Sequence, residues 1–211
     1  MAKTAADLAV PRPPIEYWRR YVHDDLPPIL HGALACFVEK GFHGTSIRQI
    51  AERSGLSVPG LYHHYESKHA LLVAIMQDAM NDLWERTQMA LVEAGDSVLR
   101  QLQLYIECLV LFHASRPAVA STTITETRSL NPQARSHHIS LRDRQHKALD
   151  DIVDAGIAQG LFGTAHPREA TTAVITMCTG VSQWFNPAGE LTPTEVAARY
   201  QHFATRIVDA A

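Results

Sequence analysis

The sequence is poor in the residues that indicate a secreted, metal-binding or membrane protein. Only three cysteines occur in 211 residues, and Cys36, Cys108 and Cys178 stand far apart. Isolated cysteines in odd number favour neither a disulfide framework nor a metal cluster. No apolar run approaches the length of a membrane span, and no basic segment followed by an apolar one opens the chain. We therefore expect buried thiols and a cytoplasmic protein without a membrane partner.

Catalytic and cofactor motifs are also lacking. The chain has no nucleophile elbow, phosphate-binding loop or dinucleotide fingerprint. Its twelve histidines invite a metal interpretation. The pairs His63-His64 and His137-His138 fail it, because adjacent helical residues point to different faces and do not chelate one ion together. We predict no enzyme activity, no cofactor and no metal site.

An excess of positive charge is missing as well, since the net charge is −3. Residues 1–68 hold 8 Lys/Arg against 7 Asp/Glu, whereas residues 69–211 hold 11 against 15. Any surface for nucleic acid must come from local clustering of cations. The candidates are Arg48, Arg53 and Lys68, with Arg19 and Arg20.

Helical periodicity is what the chain does have, without strand-like alternation or internal repeats. We predict an all-α fold of about nine helices, with an N-terminal extension (1–24), one domain at 25–70 and a second at 71–211. A first helix is expected from the cap at Asp24-Asp25 to Lys40, and Gly41 should end it. Its predicted apolar stripe comprises Ile29, Ala33, Leu34, Phe37 and Val38.

Residues 42–72 predict a helix-turn-helix. Thr45 or Ser46 is a suitable N-cap, apolar residues follow at the spacing of one buried helix face, and Gly55 stops the helix. Ser57 then caps a second helix of about seven residues. The structural alternative is an αα-hairpin with a glycine turn.

The second helix of such a motif enters the major groove with its N-terminal residues. Short residues after Ser57 let the backbone approach base edges, while the hydroxyl and imidazole groups that follow suit phosphates. Lys68, in the first turn of the next helix, also suits a phosphate. The predicted DNA contacts are Thr45, Ser46, Ser57, Val58, Pro59, Gly60, Tyr62, His63, His64, Tyr65 and Lys68.

This stretch resembles the DNA-binding domain of the TetR family of repressors over residues 29–72. The residues that carry the resemblance are Gly41-Phe42, Gly44-Thr45-Ser46, Ile50-Ala51, Gly55-Leu56-Ser57, Gly60-Leu61-Tyr62-His63-His64-Tyr65, Ser67-Lys68 and Leu71-Leu72. The resemblance implies a helical DNA-binding head followed by a ligand-binding and dimerisation domain.

The C-terminal half more loosely resembles one subgroup of that family, the repressors of fatty-acid and steroid catabolism that respond to acyl-coenzyme A thioesters. The resemblance lies in residues 126–132, 156–162 and 180–192. It implies a class of ligand only.

The second domain should begin with one long helix from Ser67 to Val92, which would link the DNA-reading helices rigidly to whatever follows. Later helices are expected at about 97–112, 117–130, 132–160, 168–185 and 194–208. The last two should join a homodimer as a four-helix bundle. The apolar residues that suggest this are Ala170, Ala173, Val174, Met177, Val181, Trp184 and Phe185.

Hydroxyls, Glu126 and Arg128 lie among apolar residues at 122–128, and the next helix adds further arginines. Such groups around an apolar cavity suit an amphiphilic effector with an anionic head, either a small hydrophobic compound or one like an acyl-coenzyme A. The alternative is a satisfied polar network or a solvated face. The predicted ligand contacts are Tyr105, Leu109, Phe112, Ile124, Arg128, Arg142, Arg144, Trp184 and Phe185.

The N-terminal extension has two interpretations. Arg12, Arg19 and Arg20 could form an arm for the minor groove. Alternatively the extension is a tail whose Trp18 packs on the domain.

The function these features favour is a ligand-responsive repressor bound to double-stranded palindromic operator DNA. One rival is a DNA-binding protein without ligand response. The other is a helical enzyme or carrier whose helix-turn-helix serves packing only. An enzyme or carrier should give no electrophoretic shift with DNA. A DNA-binding protein without ligand response should show no thermal shift with ligand.

Overall fold

The computed structural model describes residues 15–21 and 26–210, and within these ranges the protein is almost wholly helical. Two short 3₁₀ helices, Ile15–Arg19 and Glu126–Ser129, accompany the α-helices, and the one strand-like pairing there is a single bridge between Phe162 and Ala210. The predicted all-α fold is confirmed. The α-helices of the described ranges are α1 (Pro28–Gly44), α2 (Ile47–Arg53), α3 (Val58–His64), α4 (Lys68–Ala94), α5 (Val98–Ser115), α6 (Pro117–Thr125), α7 (Pro132–Ala158), α8 (Pro167–Trp184) and α9 (Pro193–Ile207).

Helices α1 to α3 form the head. Helix α1 begins at Pro28 and not at the predicted Asp25, with Pro27 at the N-cap and no side-chain cap. The pair Asp24-Asp25 lies outside the described residues. Regular α1 geometry breaks at Gly41, whose φ of 70° lies in the left-handed region that glycine tolerates.

The buried face of α1 differs from the predicted stripe at one end. Val38 is 56% exposed, whereas Leu30 and Cys36 are buried with Ala33 and Phe37. Periodicity alone allows either boundary of the stripe, and packing against α2, α4 and α6 selects the face that includes Leu30. Val38 was therefore placed wrongly.

Helix α4 is the long helix that the sequence predicts. The Ser67 hydroxyl accepts a hydrogen bond from the Ala70 N–H at its start, and Gly95, with φ of 63°, ends it. Its buried face runs from Leu71, beside the head, to Ala94 in the second domain. The predicted domain boundary between residues 70 and 71 falls in its first turn and stays a prediction.

Helix α5 is the centre of the second domain, which we call the body. Twelve of its residues are buried, and α4, α7, α8 and α9 pack around it. Cys108 on α5, Cys178 on α8 and Cys36 in the head are all buried free thiols. Burial raises the pKa of Cys108 to about 12. The prediction of buried thiols is confirmed.

The predicted dimer stripe on α8 is partly wrong. Ala170, Val174, Val181 and Phe185 face the interior of the monomer, with at most 8% of each exposed. Helix α8 packs on α5, α6 and α7, and these contacts bury that face within the monomer. A second face of α8 remains outward.

The described part of the N-terminal extension, residues 15–21, packs on the body. Trp18 is fully buried, and Arg19 makes ion pairs of 2.6 Å with Glu93 and with Glu107. The minor-groove interpretation of Arg19 is therefore wrong, because two carboxylates of the body hold its guanidinium. Arg12 lies outside the described residues. None of the described helices has the combined length and apolar character that a membrane crossing needs.

The end of α7 provides a test of this packing. A Cβ added to Gly156 would overlap the Phe162 ring, and the Gly156 carbonyl also accepts the N–H groups of Leu161 and Phe162. We expect Gly156→Ala to lower the free energy of unfolding by about 1–3 kcal/mol, because the ring cannot withdraw without breaking this turn. Urea unfolding followed by circular dichroism measures it.

The matched control is Gly44→Ala at the exposed end of α1, where a Cβ would meet only Lys40 Cβ at 3.5 Å. It should change stability by no more than about 0.5 kcal/mol. Equal stabilities for the two variants would contradict the packing described for Gly156.

Candidate nucleic-acid interface and effector region

The helix-turn-helix is built by local capping. The Ser46 side chain accepts the Gln49 N–H while the Gln49 side chain accepts the Ser46 N–H, which is a reciprocal capping box. Gly55 makes the turn with φ of 67°. The Ser57 hydroxyl accepts the Gly60 N–H and starts α3. These bonds determine where α2 and α3 begin.

Helix α3 presents most of the predicted contacts on its outer side. Tyr62 is 49% exposed, and His63 and His64 are exposed with Ser57 and Pro59. Val58 and Tyr65 are half-buried and pack partly against the core, and Gly60 is half-buried too. The N-terminal turn of α3 therefore offers small groups and the turn after it offers polar rings.

Thr45 departs from the prediction. Only 3% of it is exposed, and its hydroxyl donates hydrogen bonds to the carbonyls of Cys36 at 3.0 Å and Gly41 at 2.8 Å. A hydroxyl engaged inside the head has no access to a phosphate. Ser46, one residue later, is the exposed N-cap, so the structure decides between the two predicted caps.

Lys68 also has a different role. Its ammonium group donates to the carbonyls of Phe42 and Thr45, both at 2.6 Å, and lies 4.4 Å from the centre of the Phe42 ring. Burial lowers the pKa of Lys68, while the nearby Glu126 carboxylate opposes that shift. The side chain joins α4 to the end of α1, and no local sequence pattern indicates these acceptors.

The other cations of the head divide into two kinds. Arg53 pairs with Glu39 at 2.6 Å. Arg48 on α2 is exposed and has no ion pair among the described residues. Arg48 is therefore the better candidate for a phosphate contact on the head.

Glu126 connects the head to the body. Its carboxylate accepts the Phe42 N–H at 3.2 Å and the Ser129 hydroxyl at 2.6 Å, and the residue is only 9% exposed. A second bond runs from the Asn131 N–H to His69 Nε2 at 3.0 Å. From the sequence, Glu126 is a carboxylate among apolar residues and is predicted to lie near a ligand. It holds the backbone of the head.

Three predicted ligand contacts lie deep in the body. Tyr105 is fully buried, with Leu109 and Phe112 at 2% exposed. The Tyr105 hydroxyl donates to the Gln145 carbonyl at 2.7 Å, and burial raises the pKa of Tyr105. Helices α5 and α7 thus meet through a buried polar contact at the level of the predicted pocket.

Three buried side-chain atoms on α5 and α7 have no hydrogen-bond partner among the described residues. They are Gln145 Oε1, His138 Nε2 and His113 Nδ1, each on a residue at most 6% exposed. The other end of the Gln145 amide donates to Thr87 Oγ1 at 2.7 Å. Burial lowers the pKa of both histidines to about 4. An unpartnered buried polar atom costs about 1–3 kcal/mol, which a bound polar group can recover.

The arginines predicted to contact a ligand lie outside the buried region between α5 and α7. Arg128, Arg142 and Arg144 are exposed, as is Ile124 at 42%. The Arg144 guanidinium lies 4.3 Å from the centre of the Trp84 ring, at a groove of about 380 Å³ between α4, α5 and α7. Lys147 lines the same groove.

Trp184 and Phe185, both predicted as ligand contacts, differ in exposure. Trp184 is 51% exposed and stacks on Tyr200 of α9, whereas Phe185 is buried. Within the described ranges, no group of three or more His, Cys, Asp or Glu side chains is arranged to hold a metal ion.

Two family models match the chain. Residues 29–75 match "Bacterial regulatory proteins, tetR family", and residues 95–208 match "Tetracyclin repressor-like, C-terminal domain". The first covers α1 to α3 with the start of α4, and the second covers α5 to α9.

Individual proteins resemble it along most of its length. The transcriptional repressor KstR2 of Mycobacterium tuberculosis is 29% identical over 180 residues, which cover 82% of this chain and 86% of that protein. The KstR2 structure, a ketosteroid transcriptional regulator, superimposes with a TM-score of 0.77 at 22% identity, over 86% of this chain and 94% of that one.

Two further solved structures are similar. A tetR-family regulatory protein from Rhodococcus RHA1 has a TM-score of 0.80 and 28% identity, covering 87% of this chain and 96% of that one. The regulator PfmR of Thermus thermophilus has a TM-score of 0.78 and 31% identity, covering 84% and 97%.

The buried histidines predict acid sensitivity. His113 and His138 are neutral in the folded protein down to a pKa of about 4. The unfolded chain takes up these protons from about pH 6.5, so stability falls as pH falls between these values. The free energy of unfolding should drop by on the order of 2 kcal/mol per histidine between about pH 7 and pH 5.

Urea unfolding at the two pH values measures the drop. His138→Gln should remove its share of the pH dependence, whereas His63→Gln, on the exposed side of α3, should leave it unchanged. A His138→Gln protein with the full wild-type drop would show that this side chain is not held neutral.

Proposed function

The chain belongs to the TetR family of bacterial regulatory proteins, and on that premise we propose that it is a ligand-responsive transcriptional repressor that binds a palindromic operator as a homodimer. It would act in the cytoplasm, where the operator lies. The observation that carries the proposal is the capped α2–α3 unit, whose outer side combines small groups at the start of α3 with exposed polar rings after them.

The contacts follow from that arrangement. Ser57, Pro59 and Gly60 let α3 approach base edges in the major groove, and Val58 is positioned by its packing on the core. Tyr62, His63 and Arg48 contact phosphates on either side. Each head reads one half-site, with half-sites about 34 Å apart or a multiple of one helical turn.

The second copy covers the outward face of α8 and α9. Ala173 and Thr176 are exposed on α8, Trp184 stacks on Tyr200, and Phe203 is 50% exposed. Small residues beside large exposed rings are typical of a self-complementary interface. Buried Val174 and Val181 support this face from beneath.

The effector occupies the interface of α5, α6 and α7. Gln145 Oε1 and His138 Nε2 are unpartnered buried atoms that a carbonyl or hydroxyl of a ligand can satisfy directly or through water. Arg144, at the neighbouring groove, suits an anionic head, whereas Lys147 there pairs with Asp151 at 2.7 Å. Hydrophobic acyl or steroid compounds, free or as coenzyme A thioesters, have both features. The similarity to KstR2 supports control of lipid catabolism.

Release follows from the contact between α6 and the head. An effector beside α6 displaces the segment that carries Glu126, and Glu126 holds the Phe42 backbone. The heads then rotate with α4. The effector opposes DNA binding only by its preference for the rotated state, and about 1–3 kcal/mol is the usual range.

The phosphate assignment is tested by salt dependence, with the DNA upstream of the chain's own gene as probe. Arg48→Ala should reduce the slope of log affinity against log salt by about 1.8, because one phosphate contact is lost at each of the two heads of the dimer. Lys68→Ala should keep the wild-type slope and instead destabilise the head by about 1.5–3 kcal/mol, because its acceptors are carbonyls of the protein. Fluorescence anisotropy titrations and urea unfolding provide the two quantities.

Base reading has a separate signature. Substitutions at Ser57, Val58 or Gly60 should change which base pairs are preferred, whereas Tyr62→Phe should weaken all sequences alike. A wild-type protein that shifts no upstream DNA would favour the enzyme or carrier interpretation. A reduced salt slope for Lys68→Ala would restore that residue to the phosphate contacts.

The effector proposal is tested with octanoyl-coenzyme A and free octanoate as probes. A ligand at about 100 times its dissociation constant adds about 2.7 kcal/mol of stability, and a ligand-blind protein shows no thermal shift. Arg144→Gln should lower the affinity for octanoyl-coenzyme A. It should leave the affinity for free octanoate and the affinity for operator DNA unchanged. Arg100→Gln is the control, since Arg100 is an exposed body arginine outside the groove lining.

Reciprocity makes this test sharper. Operator DNA must weaken effector binding by the same factor by which effector weakens operator binding. Calorimetric titrations that give one effector affinity with and without operator would remove the allosteric claim and leave a DNA-binding dimer.

A further inference from the structure

The segment at residues 15–21 lies outside both family matches, yet side chains of the body hold it at many points. The Trp18 indole is fully buried and donates to Glu93 at 2.9 Å. The Arg19 guanidinium bridges Glu93 on α4 and Glu107 on α5. A segment held in this way has a defined position on the body.

Arg86 binds the backbone of the same segment. Only 2% of it is exposed, and its Nη1 donates to the carbonyls of Tyr17, Trp18 and Arg20 at 3.3, 3.1 and 3.0 Å. Its guanidinium also lies 4.1 Å from the centre of the Tyr21 ring. A buried guanidinium needs such acceptors. Without the segment, Arg86 would lose its backbone partners.

Chain connectivity joins this anchored segment to the head. Five residue steps separate Tyr21 from Leu26, which is buried at the start of the head. Five steps span at most about 18 Å. The start of α1 is therefore tied to the body by a short covalent link, in addition to α4 and the Glu126 contact.

Arg86, which holds residues 15–21, is also linked through Asp82 to the start of α6. Asp82 accepts from Arg86 Nε at 2.8 Å and from Arg116 Nη1 at 2.8 Å. Arg116 precedes α6, and Glu126 at the other end of α6 binds the head. A displacement of α6 therefore disturbs two contacts together. One is the bond of Glu126 to Phe42 in the head, and the other is the bond of Arg116 to Asp82, which also binds Arg86.

We propose that residues 15–21 form a positioning strap that restricts where the head sits relative to the body and so sets the spacing at which two heads meet DNA. The strap rests on the proposed function only in that α1–α3 is the DNA-reading head. Trp18, Arg19 and Arg86 are its positioning residues and do not touch DNA. Their charges and rings face the body, which separates the strap from a minor-groove arm.

The test measures head position without DNA or effector. Spin labels at Arg48→Cys on α2 and Lys147→Cys on α7 report the distance between head and body by pulsed electron paramagnetic resonance. The native cysteines are buried, and dilution with unlabelled protein suppresses signals between subunits. The strap variants are Arg19→Ala and the stronger Trp18→Ala/Arg19→Ala.

Arg100→Ala is the matched control, because Arg100 pairs with the same Glu93 at 3.4 Å from within the body. Both strap variants should shift and broaden the distance distribution, more so in the double variant, and Arg100→Ala should keep the narrow wild-type distribution. Operator affinity should fall at least about fivefold in the double variant, the lower end of usual coupling.

Hydrogen exchange over residues 17–21 reports release of the strap, and circular dichroism reports folding. If exchange accelerates in a folded Arg19→Ala protein while its distance distribution equals that of Arg100→Ala, the strap proposal is overturned. Arg19→Ala carries the test alone if the double variant does not fold. An absent operator shift would overturn the repressor function instead, and the distance comparison would still decide the strap.

Discussion

The unbroken helix α4 is the constraint on which the rest of this structure depends. It runs from Lys68 to Ala94, buries its start against the head and its remainder against α5, and has no internal glycine or proline. A helix without such breaks bends little. Head and body therefore move relative to each other mainly by tilting α4 or by repacking the contacts beside it.

Two of those contacts are polar and lie beside the apolar packing of α1 on α4 and α6. Lys68 ties the first turn of α4 to the end of α1, and Glu126 ties α6 to the Phe42 backbone. Both use Phe42, one through its carbonyl and one through its N–H. Hydrogen bonds to charged groups contribute about 1.5–3 kcal/mol each, so a ligand of ordinary affinity has enough free energy to exchange one for another arrangement.

The sequence predicted what local chemistry determines. Ser46, Ser57, Ser67 and Asn131 cap their helices where their side chains reach backbone N–H groups three residues later, and Gly55 and Gly95 take positive φ where helices end. These interactions lie within one turn, so the residue order contains them. Helix number and the long α4 followed from the same signals.

Partners distant in sequence were not predictable in the same way. Thr45 and Lys68 look like phosphate ligands by residue type, but their acceptors lie up to 26 residues away. Arg86 is one of six charged residues on α4, and the sequence pattern alone predicts a solvated side chain. In the structure, the backbone of residues 17–20 covers it. Val174 and Val181 have the spacing of an interface and serve the monomer core. Periodicity identifies a buried face and not the element that buries it.

The head carries little net positive charge, and for that reason its position relative to the second head matters for DNA binding. The first 68 residues hold 8 basic against 7 acidic side chains, and Arg53 is neutralised by Glu39, so one head has little electrostatic attraction for DNA. In the proposed dimer, affinity then depends on both heads binding at once, because the second contact is intramolecular once the first has formed. That advantage is lost when the head spacing no longer matches the operator. In the proposed mechanism, a small rotation of α4, limited by the Glu126 contact and by the anchored residues 15–21, is therefore sufficient for control.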